Sequence, residues 1–150
     1  MSRGFNKNKV AVLTGAAKKI GRSTAIKLAE QGFNILIHTG GKSIEKAKDT
    51  IKLLEKFKIK SNYVTGDLAN LETINIIKDA ALKLGTPSVL VNNAGLRIHE
   101  HFEKIDYKDW KKVMTVNVDA SFLCAQALIN YMVKQKWGRV INIGGLSAHI

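Results

Sequence analysis

Short apolar runs alternate with longer amphipathic ones along this chain. Val10-Ala-Val-Leu13 is continuous and rich in β-branched residues, the pattern of a strand buried on both faces. Asn34–His38, Asn62–Thr65, Ser88–Val91 and Arg139–Ile143 repeat it. Between them, helical periodicity covers about residues 21–32, 43–58, 70–85 and 107–136, the last broken near its middle. Gly32, Gly85 and Gly138 each fall just past a helical stretch, where a left-handed residue commonly ends a helix. Pro87, the single proline, is placed in a loop. Strands alternating with helices predict an α/β fold: a doubly wound parallel sheet in three α/β/α layers, with strand order 3-2-1-4-5. That order sets the first and fourth strands side by side at a topological switch point, outside whose carboxyl ends ligands bind.

Composition narrows this picture. The 150 residues are 45% hydrophobic, which suits one globular domain over residues 9–150 behind a polar tail at 1–8. No run of about 18 apolar residues occurs, so no membrane span is expected. Met1 to Lys9 lacks the apolar stretch of a secretory signal. One cysteine, Cys124, set among Phe122, Leu123 and Ala125, reads as core filler rather than nucleophile. It fits a reducing compartment, and the cytoplasm is the expected location. The net charge of +12 raises the question of nucleic acid, but the basic residues are dispersed and form no uninterrupted arm. A lysine-rich solvated surface is the favoured reading, and nucleic acid is not an expected partner.

The first strand runs directly into Thr14-Gly-Ala-Ala-Lys-Lys-Ile-Gly21, and a helix follows. Gly15 permits a sharp turn, small Ala16 and Ala17 let a phosphate approach the backbone, and Gly21 allows close helix–sheet contact. The helix start adds free N–H groups and a positive dipole end. After the second strand, at His38-Thr-Gly-Gly-Lys-Ser43, no acid appears until Glu45. A carboxylate there would hold a ribose 2′-hydroxyl and repel a 2′-phosphate. Thr39, Lys42 and Ser43 instead offer donors, which favours NADP(H) over NAD(H).

The spacing of Thr14 to Gly21 resembles the TGxxxGxG motif of the short-chain dehydrogenase/reductase family, with Lys19 standing where the family usually has its middle glycine. The stretch TGAAKKIGRS is similar to pteridine-reductase-like members, and the general layout to 3-oxoacyl-carrier-protein reductases. Asp67, after Gly66 and before Leu68, matches the family acid at the adenine ring, and Asn92-Asn-Ala-Gly95 matches its NNAG motif. Asn117 matches the asparagine that helps organise a proton path. The resemblance covers about residues 9 to 150 and implies a Rossmann-type fold. It also implies a cofactor set of Gly15, Ala17, Lys18, Lys19, Ile20, Gly21, Thr39, Lys42, Asp67, Leu68, Asn93, Ala94 and Gly95. Lys18 and Lys19 would face the diphosphate or the 2′-phosphate.

The implied reaction moves a hydride between nicotinamide and a small-molecule carbonyl or alcohol. Asn117 and a serine belong to its catalytic set, but Gly145 occupies the usual serine position and Ser147 lies two residues later. Reaching the site from there requires a backbone turn, which Gly144 and Gly145 make easy. The family's tyrosine and lysine are expected beyond Ile150, since members usually continue for roughly a hundred residues more. Tyr107 and Lys111 share their spacing but precede Asn117, and are rejected as that pair. The alternative to an oxidoreductase is a non-catalytic nucleotide-binding or scaffold protein of the same fold. His99-Glu100-His101 has too few ligands for a metal site, and none is expected. Arg97, His99 and His101 are candidates for a pocket mouth. Partners are expected to be copies of the chain, as a dimer or tetramer. Val118, Phe122, Ala125, Ile129 and Met132 offer an apolar stripe that either pairs helices or packs on the sheet.

Overall fold

The computed structural model describes residues 6–145. Its strands are β1 (Lys9–Leu13), β2 (Asn34–Thr39), β3 (Ser61–Thr65), β4 (Thr86–Asn92) and β5 (Arg139–Asn142). The helices are α1 (Lys19–Glu30), α2 (Ile44–Leu54), α3 (Leu71–Leu84), α4 (Tyr107–Met114) and α5 (Ala120–Lys134). The sheet is parallel throughout, in the order β3-β2-β1-β4-β5. Both the class and the strand order follow the expectation.

Period-two alternation in the central strands builds two cores. Ala11, Leu13, Ile35, Ile37, Val89 and Val91 face one way, onto Ala25 and Ala29 of α1 and Leu54 of α2. Val10, Val12, Leu36 and Leu90 face the other way, onto Ile74 and Ile77 of α3 and Cys124, Leu128 and Met132 of α5. Hence β1 is apolar at each position from Val10 to Leu13, and that run is wholly buried.

Three local expectations need correction. Pro87 lies inside β4, not in a loop. The register there jumps from Val10 opposite Pro87 to Ala11 opposite Val89, so Ser88 is extra. A proline without an N–H is tolerated at such a bulge, and Gln135 Nε2 reaches across to the Pro87 carbonyl and the Ser88 hydroxyl. Gly138 does not carry the left-handed turn after α5; Lys136 does, with φ 54°. Glycine is needed at 138 for space, because a Cβ there would lie 2.4 Å from the Met132 Cβ. Third, the apolar stripe of the long helix divides. Met132 is buried on the sheet beside Cys124 and Leu128, whereas Val118, Phe122 and Ile129 point outward with Val133.

The break in that long helix is a single π-helical turn, Thr115–Asp119. The whole stretch Tyr107–Lys134 is long and apolar enough to cross a membrane by length and composition. One face of its α5 portion, Ala120, Cys124, Leu128 and Met132, is seated on the sheet. At the other end, Asn8 accepts a hydrogen bond from Thr86 N (2.8 Å), and Asn6 Nδ2 donates to Gln31 O (2.9 Å).

Burial pushes the Cys124 thiol up to about 11, which leaves almost no thiolate at neutral pH. In Ellman's titration at pH 8 the native protein is expected to show no reacting thiol, with one equivalent released on adding denaturant; immediate reaction of the native protein would contradict the buried assignment.

Candidate active site

The crevice lies where β1 and β4 end side by side, and side-chain hydrogen bonds lock the two exits together. Thr14, almost fully buried, accepts at Oγ1 from the N–H groups of Asn93 and Ala94, both at 3.1 Å. In return Asn93 Nδ2 donates to the carbonyls of Thr14 and Gly15, each at 3.0 Å. The Thr14 N–H donates to Val91 O at 3.0 Å. Beyond that last backbone bond, these side-chain bonds join the two segments.

Within this frame two glycines are sterically required. Gly15 sits at φ 62°, and a Cβ on it would come within 2.7 Å of Ala94 Cα. A Cβ on Gly21 would stand 2.5 Å from Ala16 Cα and 2.7 Å from Asn93 Nδ2. Both therefore allow the loop, α1 and the NNAG segment to touch. Lys19 is different. It opens α1 at φ 51°, a left-handed conformation that glycine would adopt without strain. The family's usual glycine at this position thus has a backbone reason, and the lysine keeps the conformation despite its Cβ.

The start of α1 is prepared for an anion. Its N-cap, Lys18, supplies no side-chain acceptor, and no acidic residue stands in the first turn. The leading N–H groups of the helix are thus left to an outside ligand. Arg22 secures the loop from behind, donating from Nη2 to the Ala17 carbonyl (2.9 Å) and from Nε to Thr50 Oγ1 (2.8 Å). Neither Arg22 nor the threonine partner was indicated by the loop motif, because the contact crosses to α2.

From β2 come His38 and Thr39, both buried, followed by Gly40, Gly41 and Ser43 at the rim. His38 Nε2 meets Gly66 O at 3.0 Å, and its Nδ1 is buried without a partner. Desolvation by burial holds the imidazole below its ordinary range, so it is neutral near pH 7. Its link to Gly66 fixes the segment that carries Asp67, whose Oδ1 accepts from Ala69 N at 3.0 Å. Asp67 is exposed and Leu68 buried.

These elements enclose a cavity of about 790 Å³. Gly15, Ala17, Lys18, Lys19, Ile20, Gly21, Thr39, Asp67, Leu68, Asn93, Ala94 and Gly95 all line it. Lys42 does not; it is exposed on the short turn Gly41–Ser43, and the neighbouring Ser43 faces the cavity instead. Lys112, from α4, lines it too and was not singled out from sequence. Among the described ion pairs none engages Lys18, Lys19 or Lys112, so Asp67 is the sole acid facing three lysines.

A second, larger cavity of about 1460 Å³ adjoins the first through Ile20, Asn93, Ala94, Gly95 and Leu96. Asn117 stands at this junction on the π-helical turn. Its Oδ1 accepts from Leu96 N (2.7 Å) and its Nδ2 donates to Leu96 O (2.9 Å), so its amide pins the backbone just after NNAG. Asn92 Nδ2 donates to Asn142 Oδ1 at 2.8 Å, tying the ends of β4 and β5. Gly145 lines the second cavity, and Ser147 lies outside the described residues. Arg97 also lines it, but His99 and His101 do not. Neither Tyr107 nor Lys111 faces either cavity. No group of three or more His, Cys, Asp or Glu among the described residues is arranged to hold a metal.

A sequence model of the short chain dehydrogenase family matches residues 9–150. The chain belongs to the short-chain dehydrogenase family. An uncharacterised oxidoreductase of Escherichia coli strain K12, YohF, is 39% identical over 142 residues, covering 93% of this chain and 56% of that protein. A 3-oxoacyl-[acyl-carrier-protein] reductase, FabG of Staphylococcus epidermidis, is 35% identical over 141 residues, covering 91% and 56%. The crystal structure of acetoin dehydrogenase YohF from Salmonella typhimurium superposes with a TM-score of 0.88 at 35% identity, over 95% of this chain and 57% of that one. The chain thus spans about half the length of the relatives it matches.

Short-chain dehydrogenases are oxidoreductases that bind a nicotinamide cofactor, and the first cavity fits that group on its own geometry. It combines an uncapped helix start, a loop that Gly15 and Gly21 let pack closely against the NNAG segment, and a lysine-rich rim. The strain at Lys19 is separable from its charge. Replacing Lys19 with Gly is expected to raise folding stability by about 1 kcal/mol in urea titration, because the left-handed penalty disappears. Lys19→Ala should give no such gain, and a gain of equal size from alanine would contradict the backbone explanation.

Proposed function

We propose that this chain is the NADP(H)-binding part of an oxidoreductase acting on a small carbonyl or alcohol substrate. The single observation that carries the cofactor choice is the end of β2. No acid lines the cavity there, and Thr39, Gly40, Gly41 and Ser43 stand where a carboxylate would otherwise meet the ribose 2′-hydroxyl. Lys18 and Lys19 add positive charge from the phosphate loop. When bound, the nicotinamide supplies or takes up a hydride.

The chain's own residues bind and orient. Thr14 and Asn93 fix the loop that receives the diphosphate. Asp67 and Leu68 form the adenine end. Asn117 holds the Leu96 backbone at the passage between the two cavities, and the second cavity is the place for a carbonyl substrate. Its lining is mainly apolar, including Trp110, Val113, Val118 and Phe122, which suits an uncharged carbonyl compound. Acetoin and 3-oxoacyl groups, named for two relatives, are both of that class. Self-association is assigned to the outward apolar residues Ile129 and Val133 on the part of α5 away from the second cavity.

A second reading, a nucleotide-binding protein without catalysis, is favoured by Gly145 at the serine position. Loss of reduced-nicotinamide absorbance with a vicinal dicarbonyl or a 3-oxoacyl thioester supports the reductase. Binding without any such loss in a protein that continues past Ile150 through a tyrosine–lysine pair supports the second reading.

The cofactor preference is tested by titration. NADPH is expected to bind at least about tenfold more tightly than NADH, a difference of roughly 1.4 kcal/mol. The double substitution Lys18→Met, Lys19→Met should weaken NADPH more than NADH. Equal affinities in the unsubstituted protein would overturn the NADP(H) assignment.

A further inference from the structure

One thin element separates the two cavities. Lys112 and Val116, four residues apart, line the first; Trp110, Val113 and Asn117 line the second. Helical spacing explains the division, since positions i and i+4 share a face. The supporting helix is lightly anchored: no residue of α4 is buried, and its start is capped by Asp106, whose Oδ1 accepts from Asp109 N at 2.7 Å. Val116 also borders a small interior void with Thr14, Leu68, Asn92 and Ala94, which seats this turn against the exits of β1 and β4. Lys112, one turn before Val116 on the same helix face, borders the first cavity together with it. It enters no ion pair or side-chain hydrogen bond.

A solvated lysine with no partner ordinarily carries no function. Lys112 differs because it comes from a second element and shares one concave cavity with Lys18 and Lys19. Like charges converging on a cleft raise its potential and concentrate an anionic ligand. The lysine stem is long and flexible, so its ammonium can follow a phosphate without a preset geometry.

We propose that Lys112 is a nucleotide-binding residue whose ammonium contacts the phosphate charge of the dinucleotide held in the first cavity. The inference rests on the NADP(H) reading given above. It predicts a contact that depends on charge, reports on salt, and survives replacement by arginine.

The test is calorimetric titration of NADPH and of adenosine 2′,5′-bisphosphate into the unsubstituted chain, Lys112→Met and Lys112→Arg, each at low and high salt. Neither ligand measurement involves turnover. Lys112→Met is expected to weaken both ligands about five- to tenfold at low salt, with the gap narrowing as salt screens the charge. Lys112→Arg should stay within about twofold of the unsubstituted chain. Unchanged affinity in Lys112→Met overturns the proposal and leaves the NADP(H) reading standing. A loss that ignores salt and is not restored by arginine also overturns it, since that pattern marks packing. If the unsubstituted chain binds neither ligand, the NADP(H) reading falls and Lys112 with it.

Discussion

Everything at the ligand-binding end of this molecule depends on one exchange of hydrogen bonds between Thr14 and Asn93. β1 and β4 leave the sheet next to each other and then separate, one toward α1 and the other toward the second cavity. The threonine hydroxyl takes two backbone N–H groups from the β4 exit, and the asparagine amide returns two bonds to the β1 exit. Four bonds at about 3 Å in a largely buried setting hold the loop against the NNAG segment. The close approach of Gly15 to Ala94 and of Gly21 to Asn93 is a consequence: with the exits drawn together, no Cβ fits between them.

The second consequence is electrostatic. Once the loop is fixed, α1 points its uncapped start into the cavity, and Lys18, Lys19 and Lys112 surround it with only Asp67 as counter-charge. A site of this kind favours a multiply charged phosphate ligand over a neutral one. Holding Lys19 at φ 51° costs backbone energy, which is tolerated because the surrounding loop is tied at Thr14, Ala17 and Asn93.

Much of this was legible in the sequence. Continuous apolar runs and their spacing specify the parallel sheet, and the strand order follows from connection rules that do not depend on side-chain detail. The glycines and small residues of the loop and the NNAG segment announce close approach. What escaped sequence reading is of another kind. Arg22 meets Ala17 and Thr50 across a helix boundary, and His38 reaches Gly66 from a neighbouring strand. Lys112 lies far along the chain on a helix that looks merely charged. Pro87 was misplaced because a bulge can absorb a proline in a strand, which local propensity cannot foresee. Of the three donors that the end of β2 offers in sequence, Thr39 and Ser43 line the cavity, and Lys42 does not because the turn Gly41–Ser43 leaves it exposed.

The most direct measurement of the central claim is the affinity of NADPH for Thr14→Val compared with Thr14→Ser. Valine keeps the shape but strands two buried N–H groups, while serine keeps the acceptor. The account predicts a loss of about tenfold or more with valine, the equivalent of one or two unmade hydrogen bonds, and near-normal binding with serine. A folded Thr14→Val protein that binds NADPH as tightly as the unsubstituted chain would contradict it.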